Sequence, residues 1–225
     1  MKPDRRAQFC EIGHTDAILR LVRAPPLFLA LVGLACAAHA ASLTVTVRDD
    51  KGNPLADAVV YAMPKVKPPP GPRREAAIEQ RNKTFIPFVT AIQVGTAVSF
   101  PNHDTVRHHV YSFSPPKQFE IKLYVGTPTA PVVFDKPGEV VLGCNIHDKM
   151  LAYLYIVDTP WFAKTDAAGA ASIPDLPAGD YDLMAWHYAL ATPPPGQPLH
   201  VAADKATATF ALPLRAMPPH PAAKP

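Results

Sequence analysis

Proline is the feature that most restricts how this chain can fold. The 225 residues include 28 prolines, more than twice the usual share of about 5%, and 25 of them follow residue 40. A proline inside a helix removes a hydrogen bond and collides with the preceding turn, so this close spacing leaves little room for long helices. Helical bundles and parallel folds with crossover helices are therefore improbable. The sequence predicts an all-β protein.

The N-terminal segment has the order of features of a secretory signal peptide. Five cations precede an apolar run over residues 27–38, and small residues surround His39 at the end of that run. Twelve apolar residues are too few for a membrane span, which needs about 20. A buried hairpin segment is the alternative interpretation. We predict a signal peptide over residues 1–40, cleavage near Ala40, export to the periplasm and no membrane span after its removal.

Charge and cysteine content narrow the function. The first 40 residues hold 5 of the 22 basic and 3 of the 19 acidic residues, so the rest is almost neutral. Nucleic-acid binding needs clustered cations, so it is not expected. The chain has three cysteines, and loss of the leader leaves only Cys144. In an oxidising compartment Cys144 is a buried inert thiol, a thiol linked to a partner, or a metal ligand.

Short alternating segments separated by turns predict the strands. The predicted strands fall near residues 43–47, 58–62, 76–80, 88–94, 97–100, 110–113, 132–134, 139–143, 151–157 and 207–212, with two more in 165–186. The segment 151–157 is apolar on both faces, which predicts a central strand or one at a contact between domains.

The segment Gly-Cys-Asn-Ile-His-Asp-Lys-Met carries the most specific chemistry. Cys144, His147 and Met150 recur at every third position. A helix would separate the first and last by about 9 Å along its axis. An extended strand would spread them over about 20 Å on alternating faces. Only a tight loop brings them to one point, and thiolate, imidazole and thioether on such a loop indicate a metal site.

The kinds of ligand favour copper. A thiolate, two imidazoles and a weak thioether describe a blue-copper centre. A structural zinc site usually takes four cysteines or histidines, and zinc rarely binds methionine. The second imidazole must come from elsewhere in the chain, and the segment 101–113 offers His103, His108 and His109.

At these residues the sequence resembles the cupredoxin family, especially its plastocyanin and amicyanin branch. The resemblance covers residues 75–158, with Phe-x-Pro at 85–87, Gly-x-x-Val-x-Phe at 95–100 and Cys-x-x-His-x-x-Met at 144–150. It implies one copper ion bound by four residues, with the first ligand at the start of an His-x-Val strand. These residues are His108, Cys144, His147 and Met150.

Three further residues have possible roles beside the implied ligands. His109 stands where the family usually has Asn, so it remains the alternative first ligand. Asn145 is expected to stiffen the ligand loop by hydrogen bonding. His103 is expected to support the site or to lie on the surface.

The outer segments resemble carboxypeptidase-regulatory-like, transthyretin-like sandwich domains. Gly-Asn-Pro-Leu-x-Asp-Ala-Val-Val-Tyr at 52–61 resembles their first half, and Leu-Pro-Ala-Gly-Asp-Tyr-Asp-Leu, after Thr-Asp-Ala-Ala-Gly, resembles the second half. We therefore predict a Greek-key cupredoxin β-sandwich inserted into a small transthyretin/Ig-like β-sandwich. The predicted parts are a discontinuous sandwich (41–63 with 159–213), a Pro-rich connector (64–74), the cupredoxin domain (75–158) and a disordered tail (214–225).

The resemblance implies a periplasmic type 1 copper protein that transfers single electrons. The whole arrangement resembles bacterial methylamine utilisation or plastocyanin-like proteins, and the expected partner is a c-type cytochrome or a periplasmic dehydrogenase. A copper-handling or copper-sensing module without electron transfer is the alternative. An enzyme is not expected: Cys144 and His147 on one loop leave no separate orienting group for a thiol hydrolase. A copper oxidase would need additional sites rich in imidazole, and the sequence has no His-x-His pair.

Overall fold

All the helix or strand structure in the described part of the chain is β-strand. The computed structural model describes residues 40–66, 68, 71–128, 130–202 and 205–216, and within them it has seventeen strands and no helix. The strands are β1 (Ala40–Asp49), β2 (Val59–Pro64), β3 (Glu75–Ala77), β4 (Glu79–Arg81), β5 (Thr84–Ile86), β6 (Val89–Gln93), β7 (Thr96–Ser99), β8 (His108–Ser112), β9 (Phe119–Tyr124), β10 (Val132–Phe134), β11 (Gly138–Gly143), β12 (Leu151–Val157), β13 (Phe162–Lys164), β14 (Ala170–Pro177), β15 (Gly179–Trp186), β16 (Gln197–Val201) and β17 (Lys205–Leu212). The prediction of an all-β fold is confirmed. These ranges contain no helix of the length and hydrophobicity of a membrane span.

The first hydrophobic core lies between two sheets that use both ends of the described chain. One sheet has the strand order β14-β1-β17 and the other β13-β2-β15-β16. In β1 the side chains of Leu43, Val45 and Val47 are fully buried, whereas Thr44 is exposed. This alternation is the period of two that predicted the strand. Its inward face packs on residues of β2, β14, β15 and β17.

The second core comes from the middle of the chain. A five-stranded sheet has the order β6-β12-β11-β8-β9, a three-stranded sheet the order β10-β7-β3, and β4 pairs with β5. The buried residues between them include large apolar side chains such as Phe85, Phe100 and Phe134. Cys144 and Met150 belong to the same cluster. The predicted metal-ligating loop is therefore part of this core.

Strand β12 is central, and both of its faces are used. It lies between β6, to which it is parallel, and β11, to which it is antiparallel. Leu154 and Ile156 face the second core, whereas Tyr153 and Val157 join a third cluster that includes Trp186. Two buried faces explain why its sequence is almost continuously apolar.

The two larger cores come from different stretches of sequence. The first draws its buried residues from 41–62 and 171–212, and the second from 78–156. Between β2 and β3 the described residues form no regular strand. The boundaries given above for the two domains and the connector stay predictions.

Two predicted segments fall largely outside the described residues. The signal peptide over 1–40 lies outside them except for Ala40, which begins β1. Residues 217–225 of the predicted disordered tail also lie outside them.

The first residues of the predicted tail are paired, which corrects the prediction of disorder from residue 214. Leu214 forms an isolated β-bridge with Leu190, and both pack against the first core. The backbone N–H of Arg215 donates to the carbonyl of Ala189 at 2.9 Å. An apolar side chain with core contacts holds this segment beyond the last strand.

We expect His187 to make stability fall in acid. Its ring is 3% exposed, Nδ1 accepts the N–H of Ala189 at 3.1 Å, and burial lowers its pKa to about 4. The unfolded pKa is about 6.5, so between these values the unfolded chain binds a proton that the folded chain does not. Stability from His187 is thus complete above about pH 6.5 and lost as pH falls toward 4.

The measurement is urea unfolding of metal-free protein at pH 7 and pH 4.5, with His187→Asn as the variant that cannot titrate. Wild type should lose about 2–3 kcal/mol more than this variant over that interval. The control, His200→Asn, changes an exposed histidine that pairs with Asp180 at 2.7 Å. Equal losses in wild type and His187→Asn would contradict the assignment.

Candidate metal centre

The loop between β11 and β12 brings Cys144 and His147 together. The two strands pair from Gly138 to Gly143, and the last pair of the ladder is Gly143 with Leu151. Residues 144–150 therefore form a closed hairpin loop. Within it the N–H of Met150 donates to the carbonyl of His147 at 2.8 Å, and Cys144 Sγ lies 3.9 Å from His147 Nδ1. The tight loop expected from the spacing is present.

His108 reaches the same point from the neighbouring strand. It is the first residue of β8, which pairs with β11 where Tyr111 faces Gly143, the residue before Cys144. One ligand atom each from His108, Cys144 and His147 lies within 4.8 Å of the other two. The rings of His108 and His147 are 4.9 Å apart between centroids. Sheet pairing thus joins residues more than thirty positions apart in sequence.

One nitrogen of the His108 ring has a fixed partner and the other has none. The side chain is fully buried, and Nε2 lies 2.7 Å from Asp104 Oδ2. Nδ1 is buried without a hydrogen-bond partner in the described part of the chain. A carboxylate only accepts hydrogen bonds, so Nε2 carries a proton, and in the neutral ring Nδ1 then keeps its lone pair. This is the arrangement in which histidine binds a metal.

His109 faces the opposite side of β8. Its Nε2 lies 3.0 Å from Glu120 Oε1, although the alignment is too poor for a good hydrogen bond. Its ring stands edge-on to Tyr111 with centroids 5.8 Å apart. The pairing of β8 with β9 shifts register between His108 and Val110, so the contacts of the two rings, and not alternation alone, decide which histidine joins Cys144. The structure brings His108 to the cluster and leaves His109 outside it.

The other two predicted residues also lie outside the cluster. The half-exposed side chain of His103 is 3.7 Å from Glu79 Oε2. Asn145 is exposed and lines an outer cavity of about 530 Å³ that also includes His109 and Phe113. Among the described residues, no hydrogen bond joins the Asn145 side chain to a partner. The stiffening role of Asn145 stays a prediction.

Asp104 is the residue of this site that the motifs did not reveal. Burial, the largest single effect, raises its pKa, but hydrogen bonds from Lys83, His108 and Asn82 together outweigh it and hold the pKa below its usual value. The carboxylate is therefore ionised beside His108. The only sequence signal is an acid four residues before the histidine, which is too common to identify such a contact.

His147 lies at the outer edge of the site. It is partly exposed and lines a cavity of about 460 Å³ together with Lys83, Thr84 and Lys149. Burial lowers its pKa, and the neighbouring His108 and Lys83 lower it further. The neutral ring is the form that binds a metal.

The donor set fits a copper ion. Thiolate sulfur and imidazole nitrogen bind first-row metals at about 2.3 and 2.0 Å, so two such ligands of one ion lie no more than about 4.3 Å apart. The 3.9 Å between Cys144 and His147 is within this limit. The unpartnered Nδ1 of His108 supplies a second nitrogen, and Met150, only 2% exposed, is the fourth member of the predicted set. Sulfur ligands with imidazoles favour copper over harder metals.

Comparison with known proteins gave structural neighbours only. No family model matches the chain, and no curated protein matches it. The structural neighbours are cupredoxins and a copper enzyme. The copper-containing nitrite reductase of Thermus scotoductus SA-01 is 27% identical over 36% of this chain and 22% of its own, with a TM-score of 0.34. This chain thus spans about a fifth of that enzyme's length.

Two smaller neighbours match over most of their own length. A purple cupredoxin from Nitrosopumilus maritimus is 21% identical over 36% of this chain and 99% of its own, with a TM-score of 0.32. A reduced amicyanin variant is 13% identical over 36% of this chain and 80% of its own, with a TM-score of 0.33. Each similarity covers a little over a third of the chain.

Proposed function

We propose that this protein is a periplasmic type 1 copper protein that transfers single electrons. In this proposal His108, Cys144 and His147 bind one copper ion, with Met150 as a weak fourth ligand. When bound, copper supplies a one-electron Cu(II)/Cu(I) couple. The observation that carries the proposal is the cluster of His108, Cys144 and His147, in which the Nδ1 atom of His108 is buried without a hydrogen-bond partner.

The scaffold favours electron transfer because it holds the ligands in place. His108 begins a paired strand, Cys144 directly follows another, and Met150 directly precedes a third. Cys144 and Met150 are also packed in the second core, which limits their movement. Ligands held in this way move little when the oxidation state changes. A small rearrangement makes electron exchange fast.

Four protein donors leave no open position for a substrate, so we propose a carrier and not an enzyme. The partly exposed edge of His147 is the proposed route for the electron, since it reaches the cavity lined by Lys83 and Lys149. Redox partners usually meet through small interfaces, below about 1,200 Å². We propose a c-type cytochrome or a periplasmic dehydrogenase as the partner, in keeping with the resemblance to methylamine utilisation proteins.

We expect the purified protein to bind one Cu(II) per chain and to become strongly coloured. The colour arises from charge transfer between a bound thiolate and Cu(II), so loading with Zn(II) is the matched control and should give no visible band. Metal analysis with an absorption spectrum measures both results. A sample that binds copper and stays colourless, or binds none, would contradict a type 1 centre. Colour without electron exchange with a c-type cytochrome would favour the copper-handling alternative.

A further inference from the structure

We propose that Asp104 is a positioning residue that fixes the protonated nitrogen of His108 and shifts the preference of the site toward Cu(II) relative to Cu(I). This inference rests on the proposed function of the site. It adds a residue outside the four ligands and predicts the direction in which that residue changes the reduction potential.

The carboxylate of Asp104 is held by three donors. Oδ1 accepts the backbone N–H of Asn82 at 2.7 Å, and Oδ2 accepts that of Lys83 at 2.9 Å. Oδ2 also lies 2.7 Å from His108 Nε2. With its side chain 13% exposed, the carboxylate has little freedom to turn away from the imidazole.

The segment that carries Asp104 is fixed from its other side. The N–H of Asp104 donates to Asn102 Oδ1 at 2.9 Å, and Asn102 Nδ2 donates to the carbonyls of Val106 and Tyr124, each at 2.9 Å. Asn102 is 5% exposed. The loop that leads into His108 is therefore closed around buried hydrogen bonds, and Asp104 cannot move without breaking them.

Asp104 also joins the site to the turn between β4 and β5. Asn82 and Lys83 have left-handed φ values of 54° and 56°, which direct both of their N–H groups to the one carboxylate. The same two residues line the cavity at His147. The Asp104 side chain thus contacts both His108 and the turn that lines the cavity beside His147.

The negative charge has a definite consequence for a metal on His108. An acceptor on Nε2–H excludes the tautomer in which Nδ1 is protonated, and it raises the basicity of Nδ1. A more basic donor, with a fixed anion behind it, stabilises the doubly charged ion more than the singly charged one. Reduction adds one electron from the partner and needs no proton, so the effect appears as a lower reduction potential.

The test is Asp104→Asn, which keeps the size of the side chain and removes the charge. We expect the ratio of Cu(II) affinity to Cu(I) affinity to fall about tenfold or more. This is the size of effect typical of removing a residue that hydrogen-bonds to a metal ligand. A tenfold fall corresponds to a potential higher by about 59 mV. Asp104→Glu keeps the charge and should recover part of the ratio. The control is Asp148→Asn, an exposed acid beside His147 in the same cavity, which should change the ratio much less.

A second measurement needs no copper. Nitrogen NMR of the metal-free protein should find His108 entirely protonated at Nε2 in wild type and in a tautomer mixture in Asp104→Asn. An unchanged ratio together with an unchanged tautomer in Asp104→Asn would overturn the inference. If wild type binds no copper, the proposed function fails, whereas the tautomer measurement still decides whether Asp104 positions His108.

Discussion

Cys144→Ser should remove the visible band and lower Cu(II) affinity by more than about 100-fold. Removing a residue that hydrogen-bonds to a metal ligand typically lowers metal affinity about 10–100-fold. Here the ligand itself is removed, so the loss of affinity should be larger. A thiol with a pKa near 8.5 loses its proton readily to a metal, whereas a serine hydroxyl remains protonated at neutral pH. Oxygen is also a harder donor, which removes the preference for copper. Absorption spectra and equilibrium dialysis against Cu(II) measure the two effects.

Folding must be controlled in this experiment because Cys144 is only 5% exposed within the second core. A buried hydroxyl without a partner costs about 1–3 kcal/mol, which lowers the thermal midpoint of the metal-free protein. Cys144→Ala removes the sulfur without adding a hydroxyl. Both variants should lose the colour, and a folded Cys144→Ser protein that keeps the wild-type spectrum would show that sulfur is not a ligand.

The ligand loop was predictable because its constraint is local. Three residues at every third position cannot meet in a helix or a strand, so the spacing alone requires a loop such as the one at 144–150. The flanking strands were predictable for the same reason. The strand predicted at 151–157 is β12, with the same bounds, and the one predicted at 139–143 is β11, which begins one residue earlier. The alternation of apolar and polar residues along a strand, and the turn residues that end it, can both be seen within a few neighbouring positions of the sequence.

The contact between Asp104 and His108 depends on distant parts of the chain. The carboxylate is turned toward the imidazole by N–H groups of residues 82 and 83, more than twenty positions earlier. Nothing within the segment 101–113 shows that this turn will lie there. Sequence patterns therefore identify the ligand types but not the hydrogen bonds that orient them.

The strands that the pattern did not predict lie mostly at sheet edges or are very short. β9 and β16 are edge strands with partly exposed faces, and Pro198 in β16 weakens its strand pattern further. β5 and β13 have three residues each. An edge strand buries little apolar surface, so its alternation is weak, and its pairing depends on the neighbour that the fold supplies.

His108→Ala and His109→Ala form a matched pair that identifies the first ligand. The two residues are adjacent and similarly buried, at 0% and 6% exposure, so each truncation should cost a comparable 1–3 kcal/mol or so of folding stability. Only His108 has a nitrogen near Cys144 and His147. We therefore expect His108→Ala to lose the visible band and to lower Cu(II) affinity by more than about 100-fold. A ligand contributes more to metal affinity than a residue that only hydrogen-bonds to a ligand.

His109→Ala should keep the visible band and change Cu(II) affinity by less than about 10-fold. This is less than the effect of removing a residue that hydrogen-bonds to a metal ligand. Its ring contacts Tyr111 and Glu120 on the opposite face of β8, so its loss disturbs packing and leaves the donors in place. Thermal unfolding of both metal-free variants separates these effects, because similar midpoints with different spectra can only reflect the metal site. The reverse result, with colour lost in His109→Ala and kept in His108→Ala, would mean that β8 presents its other face to Cys144.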